Sequence, residues 1–315
     1  MKLRNFLLLI LLAALWGPSF LFIKVAVADI PPLTLVVGRV GIGAVLLYAF
    51  LRWQGRSLPR SPSIWKHVAF VAFFHNALPF VLFGWGEQYI DSAMASILNG
   101  TTPLFTIVLA HFFVADDRLT GAKVGGVLLG FGGLLLLIAP SLAAGLQVTT
   151  LGLLAVAFAS ACYGVAIVYT RNHMRGLPPL VAPTAQMIMA TIYVLPFSLL
   201  LEQPFSLPAP SPASLGSLLA LGVLGTAVAF IVYYRLMETA DPSYVSMVTY
   251  VIPVIGVILG VVILSERLTW NAYAGCALIL LGVVIVNGVF KELPWRRLRA
   301  ISDWGLVDVP SEIRD

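Results

Sequence analysis

The sequence predicts an all-α integral membrane protein whose ten transmembrane helices form two inverted five-helix repeats. Three observations carry this reading. Of the 315 residues, 60% are hydrophobic and only 10% charged, with a mean hydropathy of +0.97, whereas a soluble domain carries about 25% charged residues. The apolar residues gather into ten runs, each close to the roughly 20 helical residues that cross a hydrocarbon layer. The second half of the chain repeats the motifs of the first in the same order, displaced by 147 to 150 residues.

The first run, Asn5 to Ala28, begins like a secretory signal, with Lys2 and Arg4 ahead of Phe6 to Leu15 and a small-x-small Ala26-Val27-Ala28. It is too long for a signal core and is retained as the first helix. After Asp29-Ile30-Pro31-Pro32 come Leu33 to Leu51, the break at Pro59 to Ser63, and Val68 to Trp85. Ala93 to Val114 ends at Asp116-Asp117-Arg118, and Val124 to Ala139 ends in the loop Pro140 to Thr150. The remaining runs are Leu151 to Tyr169, Leu180 to Leu201, Leu215 to Leu236, Tyr244 to Leu264 and Trp270 to Phe290. Proline, glycine and charge punctuate them at Gly176 to Pro179, Pro204 to Pro212, Asp241-Pro242 and Glu266-Arg267. Most breaks are short, so successive helices are antiparallel neighbours. Residues 1–140 are expected to form the first repeat, 151–290 the second, and 291–315 a cytoplasmic tail whose basic residues and tryptophans suit an anionic leaflet.

Basic residues set the orientation, because cytoplasmic loops retain positive charge during insertion. With the N-terminus inside, sixteen of the nineteen Lys and Arg fall on the inner side and only Arg267 outside; Lys24 and Arg39 lie within or at the ends of spans. Both termini are therefore expected in the cytoplasm, with the chain in the plasma (inner) membrane. The net charge of +5 does not argue for nucleic acid, since the basic residues form no patch with interleaved aromatics. Cys162 and Cys276 sit in apolar runs without metal or redox spacing.

A shift of 147 places Trp16 on Tyr163, Lys24 on Arg171, Pro31-Pro32 on Pro178-Pro179 and Arg39 on Gln186. A shift of 150 places Asp91 on Asp241, Ser96 on Ser246 and Pro103 on Pro253, and one of 149 places Arg118-Leu119-Thr120 on Arg267-Leu268-Thr269. Five helices per copy is an odd number, so the second copy enters from the opposite side, the arrangement that lets two related halves exchange access to one site. Trp16-Gly17-x-Ser19 with Lys24, Arg39, Pro103 and the acidic-Arg-Leu-Thr motif before a glycine-studded fifth helix resembles the drug/metabolite transporter superfamily, specifically its ten-helix exporters. The resemblance implies a central cavity enclosed by helices 1 to 4 and 6 to 9, helices 5 and 10 outside it, and export of amino acids and other small metabolites.

Polar groups at membrane depth are costly and tend to face a cavity or another helix. Ser92, Ser96, Asn99 and Pro103 share one face of the fourth helix, and Ser246, Thr249 and Pro253 repeat the pattern in the ninth. Proline would free a carbonyl there, so a bent helix would offer hydroxyl, amide and backbone groups to a zwitterion; the same small residues also serve close helix packing, and both roles stay open. His75 and Asn76, opposite Gly225 and Thr226, either bind substrate or bond helices together. Trp16 and Tyr163 occupy equivalent mid-span positions, Gln186 stands where the first copy has Arg39, and Tyr250 completes the set of candidate substrate-binding residues. Lys24 and Arg39 lie toward the outer side and are expected to snorkel to the interface, with attraction of a departing substrate carboxylate as the alternative. In the fifth helix Gly121, Gly125, Gly126 and Gly130 give small-residue spacing for packing.

The expected activity is secondary export of neutral or aromatic amino acids and related metabolites by alternating access. Purines, sugars or drugs are the alternative solutes, and a membrane-embedded lipid enzyme is a weaker one. No motif for a metal, a phosphate loop or an activated nucleophile is found, so no cofactor and no catalytic residue is expected. The expected partners are a small-molecule substrate and the lipid bilayer, with the chain a monomer or weak oligomer.

Overall fold

A computed structural model of the chain describes residues 3–114, 118–174, 176–240 and 242–288. Among the described residues it is all helix, without strands. Nine helices among the described residues are long and apolar enough to cross a bilayer: α1 (Leu3–Ala26), α2 (Pro32–Trp53), α3 (Pro62–Gly86), α4 (Ser92–Phe113), α5 (Gly121–Ala143), α6 (Val148–His173), α7 (Val181–Glu202), α8 (Pro212–Met237) and α9 (Tyr244–Ile263). A tenth, α10 (Trp270–Val286), is apolar and shorter. Large side chains such as Leu128 and Leu135 of α5 and Ile258 and Val262 of α9 stand exposed on the outside. In water such a surface would drive association, whereas hydrocarbon solvates it. The chain is a multi-pass membrane protein. The C-terminal tail and Asp117 of the first acidic-Arg-Leu-Thr motif lie outside the described residues.

The packing respects the inverted repeat. α3 packs on α6, and its counterpart α8 packs on α1; α4 packs on α6, and α9 on α1. The pairs α2 with α7, α4 with α9 and α5 with α10 are each their own counterpart. Every one of these contacts survives exchange of helix n for helix n+5, the signature of a pseudo-two-fold axis. α5 and α10 meet backbone to backbone: a Cβ on Gly126 would fall 2.8 Å from the carbonyl oxygen of Gly282, and one on Gly133 would fall 2.7 Å from that of Gly275. The packing stripe is thus Gly126, Gly130 and Gly133. Gly121 and Gly125, expected to share it, face open space, because they lie on the other side of the helix.

Four of the cavity-forming helices are interrupted at mid-depth. α1 breaks between Trp16 and Ser19, where Pro18 lacks an N–H to donate back. α4 breaks between Asn99 and Thr102 beside Pro103, as the sequence implied. α3 opens into a wide π turn at Phe73–Ala77, just before Pro79, and α8 does so at Val223–Val228, 150 residues later. Such turns are rare and concentrate at functional sites because they free backbone groups and re-aim side chains. In α9 the interruption expected near Pro253 does not fall there. Pro253 is accommodated within Val248–Ile263, and the interruption falls at Met247, nearer the helix start.

Candidate functional site

The interruptions surround a cavity of about 510 Å³. Its walls come from α1 to α4 and α6 to α9; no residue of α5 or α10 lines it. It runs from Ile23 and Phe83, near the ends of α1 and α3, past Ile252 at mid-depth, to Pro183, Met237 and Val245 at the end where α7 and α9 begin. Ile167 and Met237 are exposed at that mouth.

Eight of the ten sequence-derived candidates line the cavity: Trp16, His75, Asn76, Asn99, Tyr163, Gln186, Ser246 and Thr249. Two do not. The Ser96 hydroxyl donates to the carbonyl of Ala93, and its side chain packs on Gly256 of α9; it faces a helix contact because α4 and α9 cross there. The Tyr250 hydroxyl accepts a hydrogen bond from Asn287 (2.6 Å), which turns it toward the end of α10.

Two aromatic clusters form the apolar walls. Trp16 sits against Phe230 and Tyr233, with ring centroids 6.2 and 5.6 Å away. Tyr163 sits against His75 and Phe83, at 5.3 and 6.0 Å. Among the polar groups, Asn76 is fully buried and neither its amide oxygen nor its nitrogen has a partner; the His75 Nδ1 is likewise buried and unpartnered among the described residues. Buried amides are nearly always hydrogen-bonded, so an orphan one facing a cavity calls for an explanation.

Arg39 departs from its expected place. It is 8% exposed and its guanidinium carbon lies 4.0 Å above the centre of the Phe80 ring, in the cavity wall. Seven residues into α2, it starts about 10 Å below the helix end, and its side chain turns inward. The Nε donates to Thr226 (3.3 Å), whose own hydroxyl donates to the carbonyl of Leu221 freed by the π turn of α8. Lys24 does not snorkel either. Its ammonium donates to the carbonyls of Glu87 and Ile90 at 2.7 and 2.8 Å, tying α1 to the end of α3.

The end of the cavity opposite the mouth is shut by carboxylates that reach from one repeat to the other. Glu266, turned back by Ser265 with φ at +57°, accepts from the N–H groups of Ser92 and Ala93 at 2.8 and 2.9 Å. Glu202 accepts from the N–H groups of Leu33 and Thr34 and from the Thr34 hydroxyl at 2.9, 2.7 and 2.7 Å. Asp29 accepts from the Ser211 N–H and the Ser214 hydroxyl at 3.1 and 2.7 Å. Each thus satisfies donors that a helix start leaves without intrahelical partners, and each places its negative charge at the positive end of the helix. The serine hydrogen bonds hold the Asp29 carboxyl below the usual range, whereas burial and the neighbouring Glu266 carboxylate push Asp91 up. Beneath this layer lies Glu87, fully buried, with no hydrogen-bond partner for either oxygen.

A sequence profile of the EamA-like transporter family matches residues 4–139 and 150–288. The chain belongs to the EamA-like transporter family. As an EamA-like transporter it is 27% identical over 278 residues to the uncharacterized transporter YoaV of Bacillus subtilis, covering 88% of this chain and 94% of that one. It is 28% identical over 309 residues to a probable amino-acid metabolite efflux pump of Escherichia coli, covering 94% and 98%. The uncharacterized inner membrane transporter YedA of Escherichia coli is 26% identical over 281 residues, covering 87% of each chain. One solved structure superposes with a TM-score of 0.64 at 20% identity, covering 93% of this chain and all of that one, which shows a shared fold.

Sequence reasoning missed Phe230 as a cavity residue and Glu202 and Glu266 as closures, and it placed Arg39 toward the outer interface rather than in the cavity wall. The signal for Glu266 was present in the doubled acidic-Arg-Leu-Thr motif. Arg39 had one too, in its depth along the span.

Proposed function

We propose that this EamA-like transporter exports neutral and aromatic amino acids and related small metabolites by alternating access. The observation that carries the reading is the cavity: it combines two aromatic clusters with amides and hydroxyls, and no Asp or Glu is among its described lining residues. Such a lining suits a solute with an apolar side chain and a polar head and offers a naked organic cation no carboxylate counter-charge. The name of one relative, a probable amino-acid metabolite efflux pump, points the same way.

The distribution of basic residues supports a cytoplasmic side for both termini and for the cavity mouth, and on this reading the state is inward-open with the outer end latched. Residues 1–140 and 151–290 then act as the two halves that rock about the midplane. Single cysteines at Ser63, Leu146 and Phe205, all exposed, should label from the inside at the first and from the outside at the other two. The reverse pattern would overturn the orientation. Vesicles loaded with a panel of labelled amino acids, nucleosides and sugars should release neutral and aromatic amino acids fastest. Release of nucleosides or sugars with retention of amino acids would replace the substrate class.

A further inference from the structure

We infer that Arg39 is the carboxylate receptor of the cavity, and that the substrates are apolar-chain carboxylates whose α-amino group is optional. The inference rests on the transporter reading above and names the substrate class of the same site.

Arg39 has no ion pair among the described residues, and its single hydrogen bond uses Nε. Its two terminal nitrogens donate to nothing and are not sealed off, so the fork of N–H groups faces the cavity. Phe80 covers one face of the guanidinium, which holds the plane fixed and leaves its edge for a ligand. The titratable groups within electrostatic reach are the Tyr163 phenol and the Glu87 carboxyl; Lys24 and Glu266 act on Glu87 in turn. Glu87 is not a cavity residue, so no fixed anion occupies the position in front of the guanidinium. A buried, unpaired cation is unfavourable in a protein and more so at membrane depth. A carboxylate offers two acceptors in the geometry of the fork and removes that penalty on binding.

The amino group of a zwitterion has no comparable partner. The cavity-lining groups available to it are neutral: Asn99, Gln186 and Thr249. These can hydrogen-bond an ammonium, a hydroxyl or a keto oxygen alike. The cavity therefore demands the carboxylate and tolerates its neighbour, while the Trp16 and Tyr163 clusters receive the side chain.

The test is calorimetric binding to the purified full chain in detergent with phenylalanine, 3-phenylpropanoate, phenylalanine methyl ester and phenethylamine. Phenylalanine and 3-phenylpropanoate should bind within about tenfold of each other, and the ester and amine should bind at least thirtyfold more weakly, as expected when one partner of a buried charge pair is removed. Arg39→Gln should erase that discrimination and Arg39→Lys should restore part of it. Equal binding of ester and acid by the native protein would overturn the inference even if Arg39→Gln failed to fold. So would preferential binding of phenethylamine, or unchanged discrimination in a folded Arg39→Gln protein. Flux measurements separate the two readings. Carboxylate binding without flux would sink transport and leave the receptor standing, and flux indifferent to esterification would do the opposite.

Discussion

Replacing Glu266 by Gln should unlatch the closed end of the transporter. The native carboxylate receives two charge-assisted hydrogen bonds from the first N–H groups of α4, at 2.8 and 2.9 Å. An amide keeps the shape and one acceptor, but it turns an NH2 toward a backbone N–H and loses the charge at the helix start. Losing the charge assistance of one bond is worth about 1 kcal/mol, and the helix-dipole term adds about 0.3–1 kcal/mol. A total near 2 kcal/mol shifts the balance between the latched and unlatched states about thirtyfold. The assay is labelling of a cysteine at Ile252, in the cavity wall, by an impermeant maleimide applied from outside, with Cys162 and Cys276 replaced by Ala. The variant should label about thirtyfold faster than its parent. Gly260→Ala provides an independent check, because a Cβ there would collide with the Glu266 carboxylate and should speed labelling in the same direction. Unchanged or slower labelling in both folded variants would refute the latch.

Three further outcomes follow from the cavity and its closure. Trp16→Ala should raise the half-saturating concentration about ten- to hundredfold for large apolar amino acids and far less for alanine, since one aromatic contact is worth about 1–3 kcal/mol; a uniform loss in transport assays would make the ring a packing element. Asn99→Leu should abolish flux while leaving the melting temperature near that of the native protein, because Asn99 lines the cavity at the break of α4; equal loss of stability would contradict this. Asp29 is held ionised by Ser211 and Ser214, with its carboxyl below the ordinary value of 3.8. Its contribution to the latched state is therefore complete at neutral pH and lost as external pH falls through that lowered value. Asp29→Asn should mimic that loss at neutral pH, where outside labelling of the Ile252 cysteine should run faster than in the parent; an unchanged rate would contradict the role of Asp29.

The architecture was legible because hydrophobic runs and the displacement of 147 to 150 residues are one-dimensional signals that survive in the chain. The helix interruption beside Pro103 was legible in advance, whereas the one at Pro18 was not read as a break. Proline did not mark the π turn of α8, whose Thr226 supplies its hydroxyl to the freed carbonyl, and at Pro253 it marked a break that did not form. The candidate site was legible where polarity stood out against an apolar run, as at Asn76, Asn99 and Gln186. It was misread for Ser96 and Tyr250, whose faces are set by where α4 crosses α9 and where α9 meets α10. Arg39 was misread for a related reason. Whether a long cationic side chain reaches back to the interface or turns into the protein depends on the space beside it, and that space exists here because Phe80 and Thr226 come from two other helices.

Counterflow in proteoliposomes tests the central claim most directly. Vesicles containing the purified full chain and loaded with millimolar unlabelled phenylalanine should accumulate external labelled phenylalanine transiently above equilibrium. The overshoot should be absent in protein-free vesicles and strongly reduced in Arg39→Gln and Asn99→Leu protein. Passive equilibration without overshoot, for phenylalanine and every other amino acid tried, would contradict an alternating-access exporter of this class.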